Sequence, residues 1–173
     1  MQSTLTSPDQ SSHVLKPDGR SGKYLTFLLG REEFGVGVLK VREIMRVRDI
    51  TAMPQTPPYM KGVIELRGKV TPVIDLRLKF GLAAVDYTER TCIIVVHVKK
   101  GYGLLVIGMV VDEVSEVIAV AEGDIEDTPD FGVRVETDLI LGMAKVRGKV
   151  KILLDIDAVL TSQEIHRLES ALQ

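Results

Sequence analysis

The side chains that could carry out chemistry are few and lie far apart along the sequence. Histidines occur at positions 13, 97 and 166, and the single cysteine is Cys92. None of them has another histidine or cysteine at the spacing of a zinc site. The segment GREEFG (30–35) lacks the GK[ST] ending of a phosphate-binding loop. No nucleophile is paired with a base, so the sequence predicts no catalytic centre, no metal site and no cofactor.

An arginine in a repeated phrase is the side chain best suited to binding another molecule. Residues 62–76 read GVIELRGKVTPVIDL and residues 142–156 read GMAKVRGKVKILLDI, 80 positions apart. The guanidinium of Arg67 offers five donors in a planar fork, which suits a carboxylate or several carbonyls of a partner. The alternative is an internal ion pair that fixes the turn, for example with Asp75. Arg147 in the second copy is open to the same structural interpretation.

The other repeated residues predict structure. Gly68 and Gly148 are expected to supply a positive φ or a tight bend between two strands. Asp75 and Asp155 fall at the ends of the return strands, where an aspartate can close the next turn by accepting backbone N–H groups.

Pro72 occurs only in the first copy, and it predicts a difference between the two. A proline cannot donate to a β-ladder, so within a sheet it belongs at an edge or a bulge. We therefore expect the first copy to have the less regular and more accessible edge, where a partner could bind.

The elements that position these residues are short strands, roughly ten in number. TCIIVVHV (91–98) and YGLLVIGMVVDEV (102–114) are apolar at both parities, so both of their faces must be covered. Two small closed barrels packed against each other, one for each copy of the phrase, would cover them. At the end of the chain, Thr161 and Glu164 form a capping-box pattern that predicts a helix over 161–173.

Composition places the chain among ordinary globular proteins, with 45% hydrophobic and 27% charged residues. No apolar run is long enough to cross a bilayer, no secretory signal is readable, and one cysteine fits a reducing cytoplasm. Residues 1–22 are rich in Ser, Thr, Pro and Asp and predict a disordered tail. Residues 122–138 contain seven acids and one arginine, and predict an exposed loop.

Charge is unevenly distributed along the chain. Residues 23–90 have a net charge of +4 and residues 91–173 a net charge of −6. Complementary fields steer association, so the positive half of one molecule could meet the negative half of a partner. Ordinary solvated surface is the other interpretation.

Four segments, in this order, resemble the CheW family of chemotaxis coupling proteins. They are EFGVGVLKVREIM, PPYMKGVIELRGKVTPVIDLRLKFG, VIGMVVDEVSEVI and LGMAKVRGKVKILLDIDAVL. The resemblance runs from about residue 22 to about residue 160, and the second segment is the most specific. One departure is Glu65, where the family commonly has asparagine. The resemblance implies an all-β fold of two five-stranded, SH3- or OB-like barrels over residues 23–160, around a shared hydrophobic core.

The resemblance also implies a function. CheW proteins are non-catalytic adaptors that join the cytoplasmic tips of chemoreceptors to the regulatory domain of the histidine kinase CheA, which is itself similar to CheW. Kinase and coupler alternate in rings through barrel-to-barrel contacts. A member of the family would be cytoplasmic and recruited to receptor arrays at the membrane without inserting into it, and it would be monomeric alone.

By match to the family motifs, a set of residues is expected to engage receptor or kinase: Val41, Glu43, Ile44, Gly62, Arg67 and Val117. Val41, Ile44 and Met45 could line a groove for an amphipathic receptor helix, or they could belong to the core. Glu43 either lies on a solvated face of its strand or meets a cation.

Two other classes of function compete with an adaptor. A small barrel that binds nucleic acid needs a basic groove with stacking aromatic residues. Here aromatic residues are 5% of the chain, tryptophan is absent and the net charge is −2. An enzyme on a β-barrel scaffold is the weaker alternative, because no catalytic constellation is readable.

Overall fold

The computed structural model describes residues 19–101, 103–127 and 137–172. Within these ranges the chain forms eleven strands and two α-helices. The elements are β1 (Gly22–Leu29), β2 (Glu32–Gly37), β3 (Val41–Arg46), β4 (Met60–Leu66), β5 (Lys69–Asp75), α1 (Leu76–Lys79), β6 (Cys92–Lys100), β7 (Gly103–Val111), β8 (Glu113–Val120), β9 (Ile125–Glu126), β10 (Ile140–Val146), β11 (Lys149–Leu154) and α2 (Ser162–Ala171). The predicted tail lies almost wholly outside the described residues, and so does the middle of the acidic segment.

The strands form two sheets that close on themselves. One sheet has the order β3-β6-β7-β5-β4, and the other has the order β8-β1-β2-β11-β10-β9. In the first, Thr51 lies beyond β3 and exchanges two backbone hydrogen bonds of 2.9 Å with Val63 of β4. In the second, β9 follows β8 along the chain and pairs with β10. We call the first sheet barrel 1 and the second barrel 2; the predicted all-β fold of two packed barrels is confirmed.

Barrel 2 has six strands because part of the acidic segment is not a loop. Residues 122–124 form a 3-10 turn, and residues 125–126 form β9. Ile125 is buried in the barrel 2 core. The prediction of an exposed loop over 122–138 is therefore wrong for the structure of residues 122–126 and for the exposure of Ile125, which is buried, while Gly123, Asp124 and Glu126 are exposed as predicted.

Successive residues of β6 pack alternately into two different clusters, which shows how the core is divided. Ile93 and Val95 pack inside barrel 1, whereas Ile94, Val96 and Val98 pack in a larger cluster at the junction of the barrels. That junction cluster also contains residues of β1, β2, β7 and β11. Strands apolar at both parities are thus covered on both faces, as the sequence predicted.

The C-terminal helix covers the junction from outside. The Thr161 side chain accepts from the Glu164 backbone N–H and the Glu164 side chain accepts from the Thr161 N–H, which is the predicted capping box. Ile165 and Leu168 of α2 are buried in the junction cluster. No helix in the described part of the chain is long and apolar enough to span a bilayer.

The expected accessible edge at Pro72 is not found. β5 is an inner strand between β4 and β7, and Pro72 is buried. Its pairing with β7 begins only at Val73, whereas the equivalent pairing of β11 with β2 begins at Lys151. Since proline has no N–H to donate, the ladder starts two residues later in barrel 1. Pro72 therefore shortens an inner ladder and creates no free edge.

In barrel 2, a buried ion pair lies at the start of the parallel ladder between β11 and β2. Lys151 and Glu33 are register partners on neighbouring parallel strands, and the Lys151 ammonium donates to the Glu33 carboxylate. The two side chains are 4% and 15% exposed. Breaking a buried pair leaves one charge uncompensated, whereas replacing both partners with apolar residues is often neutral or stabilising.

We expect Lys151→Met to lower the free energy of unfolding by about 3 kcal/mol, because Glu33 then lacks its counter-charge. The double variant Glu33→Leu/Lys151→Met should regain most of that loss. Urea unfolding of the wild type, both single variants and the double variant measures the coupling. If the two single effects simply add in the double variant, the pair is not energetically coupled.

Candidate partner-binding surface

Two equivalent turns give the candidate surface its geometry. Arg67 and Gly68 have φ values of 52° and 80°, and Arg147 and Gly148 have φ values of 52° and 79°. Two central residues with positive φ between antiparallel strands make a type I′ hairpin turn. The sequence predicted this conformation only for the glycines. An arginine in the left-handed region costs roughly 1–2 kcal/mol, and both copies tolerate it.

Each turn arginine reaches a glutamate on another strand of its own barrel. A guanidinium nitrogen of Arg67 donates to Glu43 Oε2 on β3 over 2.5 Å. Arg147 makes the same contact with Glu116 Oε2 on β8, also over 2.5 Å. The internal ion pair that was the alternative for Arg67 is therefore present, but its partner is Glu43 and not Asp75. Of the two interpretations of Glu43, contact with a cation is the correct one.

Asp75 instead closes the strand on which it lies. Its Oδ1 accepts the backbone N–H groups of Arg77 and Leu78 at the start of α1, and its Oδ2 accepts the Tyr87 hydroxyl over 3.0 Å. Burial and the nearby Asp75 charge raise the pKa of Tyr87, so this hydroxyl remains a donor. Asp155 likewise accepts the N–H of Asp157.

The strength of the Arg67–Glu43 pair decides what it can do. The Arg67 side chain is 75% exposed, while that of Glu43 is 26% exposed. Ion pairs at this level of exposure contribute only about 0–1 kcal/mol. Breaking this pair therefore costs little stability, and the guanidinium stays largely solvated.

Exposed apolar side chains are sequence neighbours of the residues in both ion pairs. On barrel 1, Ile44 follows Glu43 and Val70 lies just beyond the turn; they are 44% and 59% exposed. On barrel 2, Val117 follows Glu116 and Val150 lies beyond the turn, with 55% and 48% exposed. We call Glu43, Ile44, Arg67 and Val70 the barrel 1 surface. Their counterparts Glu116, Val117, Arg147 and Val150 are the barrel 2 surface.

Glu116 and the pairing of these surfaces were missed from the sequence, although a signal exists. VREI (41–44) and VSEV (114–117) are the same strand phrase, 73 positions apart. This spacing differs from the 80 positions that separate the two turns, so a single offset does not reveal it. The two repeats together identify every member of both surfaces.

The remaining predicted site residues have mixed environments. β3 alternates, with Val41, Glu43 and Met45 half-buried and Ile44 exposed. Val41 packs against the junction cluster and Met45 against the barrel 1 core, so the core interpretation applies to both in part. Gly62 is buried, and a Cβ added there would lie 2.0 Å from the Thr51 carbonyl oxygen. Its position thus permits the close approach that closes barrel 1.

The two barrels carry opposite charge. Residues 38–111, which contain barrel 1, have twelve basic and six acidic side chains, a net charge of +6. Residues 19–37 and 112–172, which contain barrel 2 and α2, have nine basic and sixteen acidic side chains, a net charge of −7. The difference in net charge between the two barrels is larger than that between residues 23–90 and 91–173. The reason is that the chain first forms strands of barrel 2, then forms barrel 1 and then returns to barrel 2.

The described residues offer little else for chemistry. Among them, no group of three or more His, Cys, Asp or Glu side chains is placed to hold a metal ion. Cys92 is half-buried at the start of β6, and its thiol contacts the Arg90 carbonyl oxygen. His97 is a half-buried strand residue. What the surfaces present is charge, donors and apolar contact area, which are features of recognition.

Comparison with known proteins gives a consistent result. The family model described as "CheW-like domain" matches residues 23–164. The chain is 39% identical over 143 residues to the chemotaxis protein CheW of Klebsiella aerogenes, covering 83% of this chain and 84% of that protein. It is 36% identical to the Bacillus subtilis chemotaxis protein CheW, covering 82% and 88%. The crystal structure of the scaffolding protein TtCheW from Thermoanaerobacter tengcongensis matches with a TM-score of 0.74 and 31% identity, covering 83% and 90%.

Gly62 allows a test of how barrel 1 is closed. We expect Gly62→Ala to lower the free energy of unfolding by about 2–4 kcal/mol, because the new methyl group would overlap the Thr51 backbone and the residue has a φ of 144°. Gly37→Ala is the matched control, since its φ is −54° and nothing lies within 4 Å of an added Cβ. Equal urea midpoints for the two variants would contradict this account of the closure.

Proposed function

Because this chain belongs to the CheW family of chemotaxis scaffold proteins, we propose that it is a non-catalytic adaptor that links chemoreceptors to a histidine kinase. The partners would be the cytoplasmic tips of the receptors and the regulatory domain of a CheA-type kinase. The adaptor would act in the cytoplasm, at receptor arrays, and would support regulation of the kinase.

The observation that supports this function is the presence of two equivalent surfaces on two barrels. Each surface has an exposed arginine paired with a glutamate, and each has two exposed apolar side chains on the same strands or just after the turn. An adaptor needs at least two places to bind, and a duplicated barrel provides them at separate positions on one rigid body. An enzyme would require converging catalytic groups instead.

Charge indicates how the kinase would be oriented. Barrel 1 has a net charge of +6, so the partner surface that meets it should be negative. The regulatory domain of CheA resembles CheW, and a barrel equivalent to the acidic barrel 2 would meet that requirement. We therefore assign the barrel 1 surface to the kinase, with Arg67 exchanging the Glu43 carboxylate for one on the partner.

The receptor tip requires a different kind of surface, because it is expected to be an amphipathic helix. Leu39 is 90% exposed and stands beside a mainly apolar groove lined by Val38, Leu141 and Ile156. Such a groove suits the apolar face of a helix. Val41, two residues after Leu39, is half-buried against the junction cluster and does not line this groove.

We expect Arg67→Ala to weaken binding of a CheA-type regulatory domain by about tenfold, because the partner's carboxylate would lose its charged donor. The free energy of unfolding should change by less than about 1 kcal/mol, since the exposed pair with Glu43 contributes little. Titration calorimetry with the purified kinase domain and urea unfolding measure the two effects.

Arg147→Ala is the matched control for the Arg67 variant. It removes an arginine from the same type of turn with the same φ and the same kind of ion pair, but on barrel 2. The free energy of unfolding should change as much in Arg147→Ala as in Arg67→Ala. The affinity of the barrel 1 surface for the kinase domain should stay at the wild-type value in Arg147→Ala. If both variants bind the kinase domain as the wild type does, the assignment of this surface is wrong.

A further inference from the structure

The proline-rich segment that leads into β4 has backbone hydrogen bonds to the rest of barrel 1 at its two ends, at Thr51 and at Tyr59. Residues 51–59 contain prolines at 54, 57 and 58, which have no N–H to donate. Within the segment the Thr56 hydroxyl donates to the Met53 carbonyl, and Gln55 has a positive φ of 59°. Regular strand pairing is limited here to the bridge between Thr51 and Val63. Tyr59, at the end of the segment, makes contacts with other parts of the fold.

Tyr59 connects the segment to two helices and to β5. Its hydroxyl donates to Glu164 Oε2 over 2.7 Å, and Lys79 Nζ lies 5.1 Å from the centre of its ring. Its carbonyl oxygen accepts the N–H of Asp75 over 2.8 Å. Among the described residues, this bond to Glu164 is the one hydrogen bond that joins the proline-rich segment to α2.

The Glu164 carboxylate accepts hydrogen bonds from three different parts of the chain. Lys79 of α1 donates to both of its oxygens, at 3.2 Å and 2.9 Å, and the Thr161 N–H donates to Oε1. The Lys79 and Glu164 side chains are 16% and 19% exposed. Burial alone would raise the pKa of Glu164, but the hydrogen bonds from Thr161, Lys79 and Tyr59 hold this pKa below its ordinary value, so the carboxylate is charged.

The helix itself does not need this carboxylate in order to stay docked. Ile165 and Leu168 are buried in the junction cluster and anchor α2 through apolar contact. Removing the Glu164 charge should therefore loosen both groups that it holds, Lys79 of α1 and Tyr59 with the segment before it. Both groups belong to barrel 1 or to the segments next to it, so the effect is expected there.

The segment that Tyr59 holds joins the two strands of the barrel 1 surface. At one end it continues from β3, which carries Glu43; at the other it becomes β4, which leads to Arg67. The Thr51–Val63 bridge pairs these two ends across the seam that closes the barrel. Arg48 also donates to the Glu65 carbonyl across it.

We propose that Glu164 of the C-terminal helix is a positioning residue for the barrel 1 surface, acting through Tyr59 and the proline-rich segment. This inference rests on the proposed function, in which that surface binds the kinase. It assigns α2 a role that the four quoted sequence segments do not indicate, since the last of them ends at Leu160.

Barrel 2 contains a built-in reference for the test. The Asp155 N–H donates to the Leu139 carbonyl over 2.8 Å, which is the same bond, 80 positions on, as that from Asp75 to Tyr59. Leu139 has no hydroxyl to reach α2. Hydrogen exchange at the Asp75 amide, compared with that at the Asp155 amide, therefore reports the Glu164 contact separately from global unfolding.

Two variants and one control define the experiment. Glu164→Gln keeps a capping-box acceptor but removes the charge, and Tyr59→Phe removes only the hydroxyl. Glu169→Gln is the control, an exposed carboxylate on the same helix. We expect exchange at the Asp75 and Val63 amides to rise about tenfold in both variants, with Asp155 unchanged. Affinity for the kinase regulatory domain should fall about threefold to tenfold, and Glu169→Gln should match the wild type.

Three results would overturn the inference. Unchanged exchange at Asp75 would show that Glu164 does not hold the segment. Equal rises at Asp75 and Asp155 would show general loss of stability. Faster exchange at Asp75 with wild-type affinity would show that the segment does not position the surface. If the wild type itself does not bind the kinase domain, the proposed function fails, and the exchange at Asp75 and Asp155 still decides whether Glu164 holds the segment.

Discussion

The structure depends on the need to cover strands that are apolar on both faces. In β6, Ile93 and Val95 face the inside of barrel 1, while Ile94 and Val96 face barrel 2. A single sheet with one wet face would leave one of these sets in water, at a cost of about 25 cal/mol for each Å² exposed. Packing two closed barrels against each other removes both sets from water, and the C-terminal helix covers the same junction.

Duplication preserved the backbone and changed the side chains. Both copies have the same turn conformation, the same bulge at Gly62 or Gly142, and the same arginine–glutamate contact. The inner ladder differs, because barrel 1 has Pro72 where barrel 2 has Ile152. Net charge differs as well, at +6 against −7. The two barrels therefore share one backbone geometry and differ in net charge, which is a basis on which binding surfaces can discriminate.

Local pattern was sufficient for the elements but not for their contacts. The parity of β6, the Arg-Gly-Lys turns and the capping box at Thr161 are short-range features, and they predicted the double barrel and the last helix. The partner of Arg67 depends on which strand closes the barrel, and the sequence spacing of 24 residues to Glu43 carries no information about that. Pro72 misled for the same reason, since a proline indicates a missing donor but not which strand lies beside it.

A scaffold must also keep its two surfaces at a fixed relative position, and the junction is built for this. Asp157, just after β11, accepts two bonds from Lys40 Nζ at 2.9 Å and 2.8 Å. It also accepts the backbone N–H of Lys99, at the end of β6, over 2.7 Å. These contacts join the segment entering barrel 1, a strand of barrel 1 and the last strand of barrel 2. With the continuous apolar cluster beneath them, these contacts connect the two barrels at several points, and close packing of this kind resists relative movement.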